Sequence, residues 1–171
     1  MLIYLIGMPA SGKSTFGKLV AQKLNYTFLD LDTLIEEDNN STIPKIFDTK
    51  GEDFFRKLEQ NALQFTFNLD KTIIATGGGT PCFFDNLDKM KENGIVCFIH
   101  IEIKTLVKRT FQAQQRKQNS RPLFKDSTSF EELYQLVSQK WTDRKEFYQK
   151  ADFEIKNNDL NEFLEKLNAK Q

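Results

Sequence analysis

The chain has 171 residues, the size of one ordinary domain. It carries 24 Lys and Arg against 24 Asp and Glu, and a formal net charge of zero argues against a protein that tracks nucleic acid or an anionic membrane. With 39% hydrophobic and 28% charged residues it can fill a core, and its two cysteines, Cys82 and Cys97, make neither a disulfide framework nor a zinc cluster.

Residues 2–6 (LIYLI) form a continuous apolar run, the pattern of a strand buried on both faces. The run stops at Gly7, and 13–24 reads as a helix with Phe16, Leu19, Val20 and Leu24 on one face. Residues 27–31 (TFLDL) are a second strand, with Asp30 and Asp32 alternating across its carboxyl end. Segments 32–38 and 43–47 read as short helical turns, and 52–67 as a long helix with Phe55, Leu58, Ala62 and Phe65 at helical spacing. Residues 72–76 (TIIAT) are a third strand, stopped by Gly77, Gly78 and Gly79. A helix over 83–92 ends at Asn93 and Gly94 as a C-cap, followed by a fourth strand over 95–101 and a helix over 104–115. Beyond the polar 116–120 and Arg121-Pro122, a helix over 129–148 opens with a capping box of Ser129 and Glu132. A short fifth strand over 153–155 and a helix over 159–167 complete the chain. The longest apolar runs fall far short of a membrane span, and no basic segment precedes the first of them. The expectation is a single domain over 1–171, monomeric, reduced and cytoplasmic, with no nucleic-acid or membrane partner.

Strands alternating with helices predict the α/β class, a three-layer α/β/α domain on a parallel sheet. Ligands of such sheets sit beyond the carboxyl ends of the strands. Gly7, Asp30 with Asp32, and Gly77 each stand at such an end, so they should converge.

Gly7-Met8-Pro9-Ala10-Ser11-Gly12-Lys13-Ser14 fits G-x-x-x-x-G-K-[ST] and continues with Thr15, between an apolar strand and an amphipathic helix. Ala10, Ser11, Gly12, Lys13, Ser14 and Thr15 make a nest of backbone N–H groups, and the helix N-terminus adds its dipole. Lys13 brings a charge to the β- and γ-phosphates, and the Ser14 hydroxyl offers a ligand to Mg²⁺. A nucleoside triphosphate site follows. Asp30 and Asp32 then supply the carboxylates that a metal-assisted kinase needs near its metal and near the accepting hydroxyl; alternatively Asp32 is a helix N-cap and Asp30 a solvated strand end. Three consecutive glycines cost backbone entropy and add no packing. Close approach by a ligand explains Gly77, Gly78 and Gly79; a sharp turn accounts for only one or two. Of the 24 basic residues, 19 are Lys and five are Arg: Arg56, Arg109, Arg116, Arg121 and Arg144. Arginine's rigid fork suits a specific anion contact.

The phosphate loop is followed by Asp30-Leu31-Asp32, by Ile46-Phe47 leading to Gly51-Glu52-Asp53-Phe54-Phe55-Arg56-Lys57-Leu58-Glu59, by Thr76 with the three glycines, and by Arg121-Pro122-Leu123. In that order and spacing the chain closely resembles the shikimate kinases, from the first strand to at least Arg144. The resemblance implies ATP-dependent phosphorylation of the 3-hydroxyl of shikimate, a step toward aromatic amino acids. It implies a P-loop fold of the nucleoside-monophosphate-kinase type with five parallel strands, a substrate-binding segment over about 34–63 and a mobile lid over about 112–127.

By the same resemblance Asp32 holds the shikimate hydroxyls and helps activate the 3-hydroxyl. Arg56 and Arg144 grip the carboxylate, and the triplet, through Gly78, offers it a backbone amide. Asp30 holds Mg²⁺ through water, beside Ser14. Arg121 swings over the phosphates with the lid, and Arg116 lies near the adenine. Lys13, Asp32 and Arg121 are then the catalytic set, with ATP as co-substrate and Mg²⁺ as cofactor. Arg109 matches no role. His100, Cys82, Trp141, Phe147 and Tyr148 read as packing. A gluconate or nucleotide kinase would share the phosphate loop but gives no reason for Arg56, the triplet and Arg144 together. A non-catalytic nucleotide-binding module would not need Lys13, Asp32 and Arg121.

Overall fold

All five residues of β1 (Leu2–Ile6) are buried, because this strand is the middle of a sheet covered on both faces. In the computed structural model, which describes residues 1–115 and 129–170, it is followed by α1 (Lys13–Leu24), β2 (Thr27–Asp30), α2 (Leu31–Asn39), α3 (Ile43–Lys50) and α4 (Glu52–Thr66). Next come β3 (Thr72–Ala75), a 3-10 turn (Thr80–Cys82), α5 (Asn86–Asn93), β4 (Gly94–His100), α6 (Ile103–Gln115), α7 (Phe130–Tyr148), β5 (Phe153–Lys156) and α8 (Leu160–Asn168). The five strands are parallel, in the order β2-β3-β1-β4-β5, so the three-layer reading holds. Apart from the last residues of α6, the lid expected over 112–127, with Arg116 and Arg121, lies outside the described residues.

The register aligns the strand ends that matter. Leu5 pairs with Ala75, and Ala75 pairs with Asp30, so Gly7, Gly77 and Asp30 emerge along one edge of the sheet. Fully buried side chains such as Ile3, Leu5, Ile73 and Ile74 hold that register. Each contributes roughly 1.5–3 kcal/mol of transfer free energy. Tyr4, buried in the central strand, keeps its hydroxyl satisfied by Thr66 of α4 at 3.0 Å.

Several local expectations change. In α1 the buried face is Phe16, Gly17, Val20 and Ala21, while Leu19 is exposed, because Gly17 is where the helix meets Phe28 of β2 and Leu5 of β1. In α4 Phe65 is exposed, and the inward stripe is Phe55, Arg56, Glu59, Ala62, Leu63 and Thr66. Two opposite charges that satisfy each other displace an aromatic from the buried face. The helix expected from residue 83 starts only at Asn86, since Phe83 is extended and Phe84 has φ +52°. Asp32 lies in the first turn of α2 rather than on a strand, and Asp30 is the N-cap, accepting from the Asp32 N–H at 3.0 Å.

Gly94 is extended rather than left-handed, and it is the first residue of β4. A Cβ there would stand 2.6 Å from the Leu2 carbonyl oxygen of the paired strand. Backbone cannot step aside as a flexible side chain can. Gly94→Ala is expected to cost roughly 1–3 kcal/mol of stability, read as a lower urea midpoint with an unchanged slope.

Candidate active site

The phosphate loop turns tightly after β1. Gly7 has φ +148°, and a Cβ there would press 2.7 Å from the Ile99 carbonyl oxygen; Ala10 (φ +63°) and Gly12 (φ +88°) are also left-handed. Lys13 is buried, and its ammonium donates to the carbonyls of Gly7 and Met8, both at 2.9 Å. The Ser14 hydroxyl donates to Asp30 at 2.5 Å. These groups open on a cavity of about 520 Å³ lined by the loop with Asp30, Asp32, Thr76, Gly78, Arg109 and Asn158. The three strand ends therefore converge as their positions in the sequence predict.

Next to this cavity the glycine triplet is wedged between side chains. A Cβ on Gly77 would collide with Glu59 and stand 3.1 Å from the Asp32 carboxylate. One on Gly78 would meet Pro9 at 2.7 Å, and one on Gly79 the Arg56 guanidinium at 2.7 Å. The protein's own groups thus crowd all three glycines, with Pro9 beside Gly78 the least able to give way.

Behind the triplet lies a buried charge cluster. Arg56 donates to Glu59 at 2.5 Å and, through Nη2 and Nε, to Glu52 at 2.6 and 3.1 Å. Its guanidinium also lies 4.1 Å from the centre of the Phe83 ring. The second Glu59 oxygen accepts from the Thr80 hydroxyl at 2.6 Å. Burial is the largest single influence on Arg56 and opposes its charge, yet Glu59 and Glu52 together hold its pKa above the ordinary value.

Arg144, on α7, is 5% exposed, and its Nη1 is buried with no hydrogen-bond partner among the described residues. The charges of Arg144 and Arg56 both favour the Cys82 thiolate. Burial still prevails there and pushes the thiol up to about 11.

Sequence reasoning missed four residues here. Glu59 stood in a quoted motif without a role; its position one turn past Arg56 on α4 was the available signal. Arg109, which matched no role, donates to the Ala10 carbonyl at 3.2 Å. Asn158 donates to the Gly12 carbonyl at 3.5 Å and is buried at its Oδ1. Tyr148, read as packing, does pack, against Phe98 and Trp141, but its hydroxyl also donates to the Gly78 carbonyl at 2.6 Å. His100 stacks on both Phe98 and Trp141 and pairs with Glu154, away from the cavity lining.

A phosphate loop on the central strand, a carboxylate pair at the next strand end and a cavity between them define a P-loop phosphotransferase. The family model for shikimate kinase matches residues 9–169, and the chain belongs to the shikimate kinase family. A shikimate kinase from Phocaeicola vulgatus is 37% identical over 158 residues, covering 92% of this chain and 87% of its own. The solved shikimate kinase from Bacteroides thetaiotaomicron superposes with a TM-score of 0.85 at 32% identity, over 100% of this chain and 96% of that one. The shikimate kinase from Acinetobacter baumannii in complex with shikimate gives 0.86 at 28% identity, over 99% and 93%. Among the described residues no helix is long and apolar enough to cross a membrane.

Two outcomes follow from the charge cluster. Glu59→Ala leaves the buried Arg56 charge with Glu52 alone and is expected to cost about 1–3 kcal/mol by urea denaturation, with Glu59→Gln in between. The raised thiol makes Cys82 roughly 100-fold slower toward iodoacetamide than an unperturbed cysteine at neutral pH, accelerating as pH rises toward its pKa; peptide mapping of the alkylated protein checks this.

Proposed function

We propose that this chain transfers the γ-phosphoryl group of ATP to the 3-hydroxyl of shikimate, with the phosphate loop and the charge cluster as the two halves of one site. The observation that carries the substrate half is Arg144: a buried guanidinium nitrogen without a hydrogen-bond partner among the described residues, on the helix whose Tyr148 bonds to Gly78 of the cavity lining. Such a group is suited to a carboxylate, which two arginines hold bidentately and directionally. The family member solved with shikimate supports that choice of substrate.

On the nucleotide side, the loop amides of Ala10, Ser11, Gly12, Lys13, Ser14 and Thr15 cradle the phosphates, and Lys13 turns its ammonium from loop carbonyls to phosphate oxygens. Arg109 and Asn158 border the same cavity and face the nucleoside end. Arg116, expected near the adenine, and Arg121, expected over the phosphates, keep those roles in this reading. The Ser14 hydroxyl and the Asp30 carboxylate, 2.5 Å apart, are hard oxygen donors that fit Mg²⁺, which keeps most of its ligands as water and phosphate oxygens. Bound there, the ion would neutralise charge on the transferring phosphates.

Asp32 is the base. Its carboxylate lies against Gly77, between the phosphate loop and the triplet, where the accepting hydroxyl must come. It orients that hydroxyl and takes its proton as the oxygen attacks the γ-phosphorus. Arg56, Arg144 and the amide of Gly78, flanked by Gly77 and Gly79, fix the carboxylate end, so the 3-hydroxyl is delivered in line. The segment over 34–63 then binds substrate and the segment over 112–127 closes the site. The reading has the chain act as a monomer in the cytoplasm.

A coupled assay for ADP formation, with and without shikimate, tests the function: turnover should depend on shikimate and not on gluconate or nucleoside monophosphates. ADP release on gluconate alone, or ATP binding with no turnover, would overturn it. Asp32→Ala should lower kcat by roughly 10²–10⁴. Arg56→Lys should raise KM for shikimate roughly 10–100-fold, the worth of a charge-assisted bidentate contact, and leave KM for ATP unchanged.

A further inference from the structure

Each carbonyl of the glycine triplet is held by a donor. Gly77 accepts from the Thr80 N–H at 3.3 Å and from the Thr76 hydroxyl at 3.2 Å, and Gly79 accepts from the Cys82 N–H at 2.8 Å. Those are local turns. Gly78 instead accepts from the Tyr148 hydroxyl, 70 residues away in the chain. Tyr148 is fully buried, its ring 5.2 Å from that of Phe98, and its oxygen also lies 3.7 Å from the Met8 sulfur in the phosphate loop. One side chain of α7 thus touches both halves of the site. Burial raises the Tyr148 pKa against the pull of Arg144, so the hydroxyl stays a neutral donor.

We propose that Tyr148 is a positioning residue for the substrate carboxylate, its hydroxyl fixing the Gly78–Gly79 peptide while the preceding turn of α7 carries Arg144. The inference rests on the reading of Arg56, Arg144 and the triplet as the carboxylate site. Glycine torsions are the least restrained in the chain, so ψ of Gly78 needs an outside constraint. Each peptide is planar, and with the Gly77 carbonyl held by Thr80 and Thr76 and the Gly78 carbonyl by Tyr148, both planes that flank Gly78 are fixed, the one that carries its N–H included. Tyr148 and Arg144 are four residues apart on one helical face, so the hydrogen bond also fixes the helix on which the guanidinium stands.

Tyr148→Phe removes the hydroxyl and keeps the ring and its stack. The test compares kcat/KM for shikimate and for its analogue with a hydroxymethyl group in place of the carboxylate, at saturating ATP. The variant is expected to raise KM for shikimate about tenfold, equivalent to about 1.4 kcal/mol, to change kcat little, and to leave the analogue unaffected. Trp141→Phe, which disturbs the same stack without touching Gly78, should leave the ratio of the two substrates as in the wild type. An unchanged shikimate KM in Tyr148→Phe, an equal loss on both substrates, or the same shift in ratio with Trp141→Phe overturns the inference. A wild-type enzyme that uses both compounds equally overturns the carboxylate reading beneath it.

Discussion

A guanidinium taken out of water needs countercharge, and Arg56, 4% exposed, finds it in Glu59, which is itself almost wholly buried. The geometry around the glycine triplet is arranged around this pair. Glu59 uses its other oxygen on Thr80, which places the 3-10 turn, and the pair fills the space that any side chain on Gly77 or Gly79 would need. Helix α4 accordingly turns charge inward and leaves Phe65 in solvent. On the proposed reading, core and recognition site are here the same set of atoms.

The nucleotide half rests on backbone. Positive φ at Gly7, Ala10 and Gly12 curls the loop, and the Ile99 carbonyl leaves no room for a side chain at Gly7. The parallel register carries the triplet to the same edge of the sheet, where Gly78 meets Pro9 and Tyr148 reaches Met8. Phosphoryl transfer asks for placed charge more than for covalent help, and in the proposed site both halves supply charge in positions held before substrate arrives. The zero net charge of the chain coexists with a cavity lined by Lys13 and Arg109, and with Arg56 against Gly79 just behind it.

Much of this was legible in the residues. The phosphate loop is readable because its backbone conformation restricts which residues fit, and the strand–helix alternation because burial imposes a period. Asp30 and the triplet were recognisable by their places at strand ends. The inward face of α4 was not, since apolar periodicity cannot register a buried charge that a neighbour satisfies. Gly94 does cap α5, as a glycine after a helix suggests, but it does so in extended backbone, and it is a neighbouring strand's carbonyl that leaves no room for a side chain there.

Sequence alone therefore determined the fold class, the family and the phosphate loop, because those depend on burial periods, on torsions within a few consecutive residues, and on the order and spacing of short motifs along the chain. Tertiary structure alone decided that Glu59 secures Arg56 beneath the glycines, that Arg109 and Asn158 border the phosphate loop, and that Tyr148 holds Gly78 across 70 residues of chain. Such contacts depend on distance in space and on the lack of water around them, and neither is a property of sequence spacing.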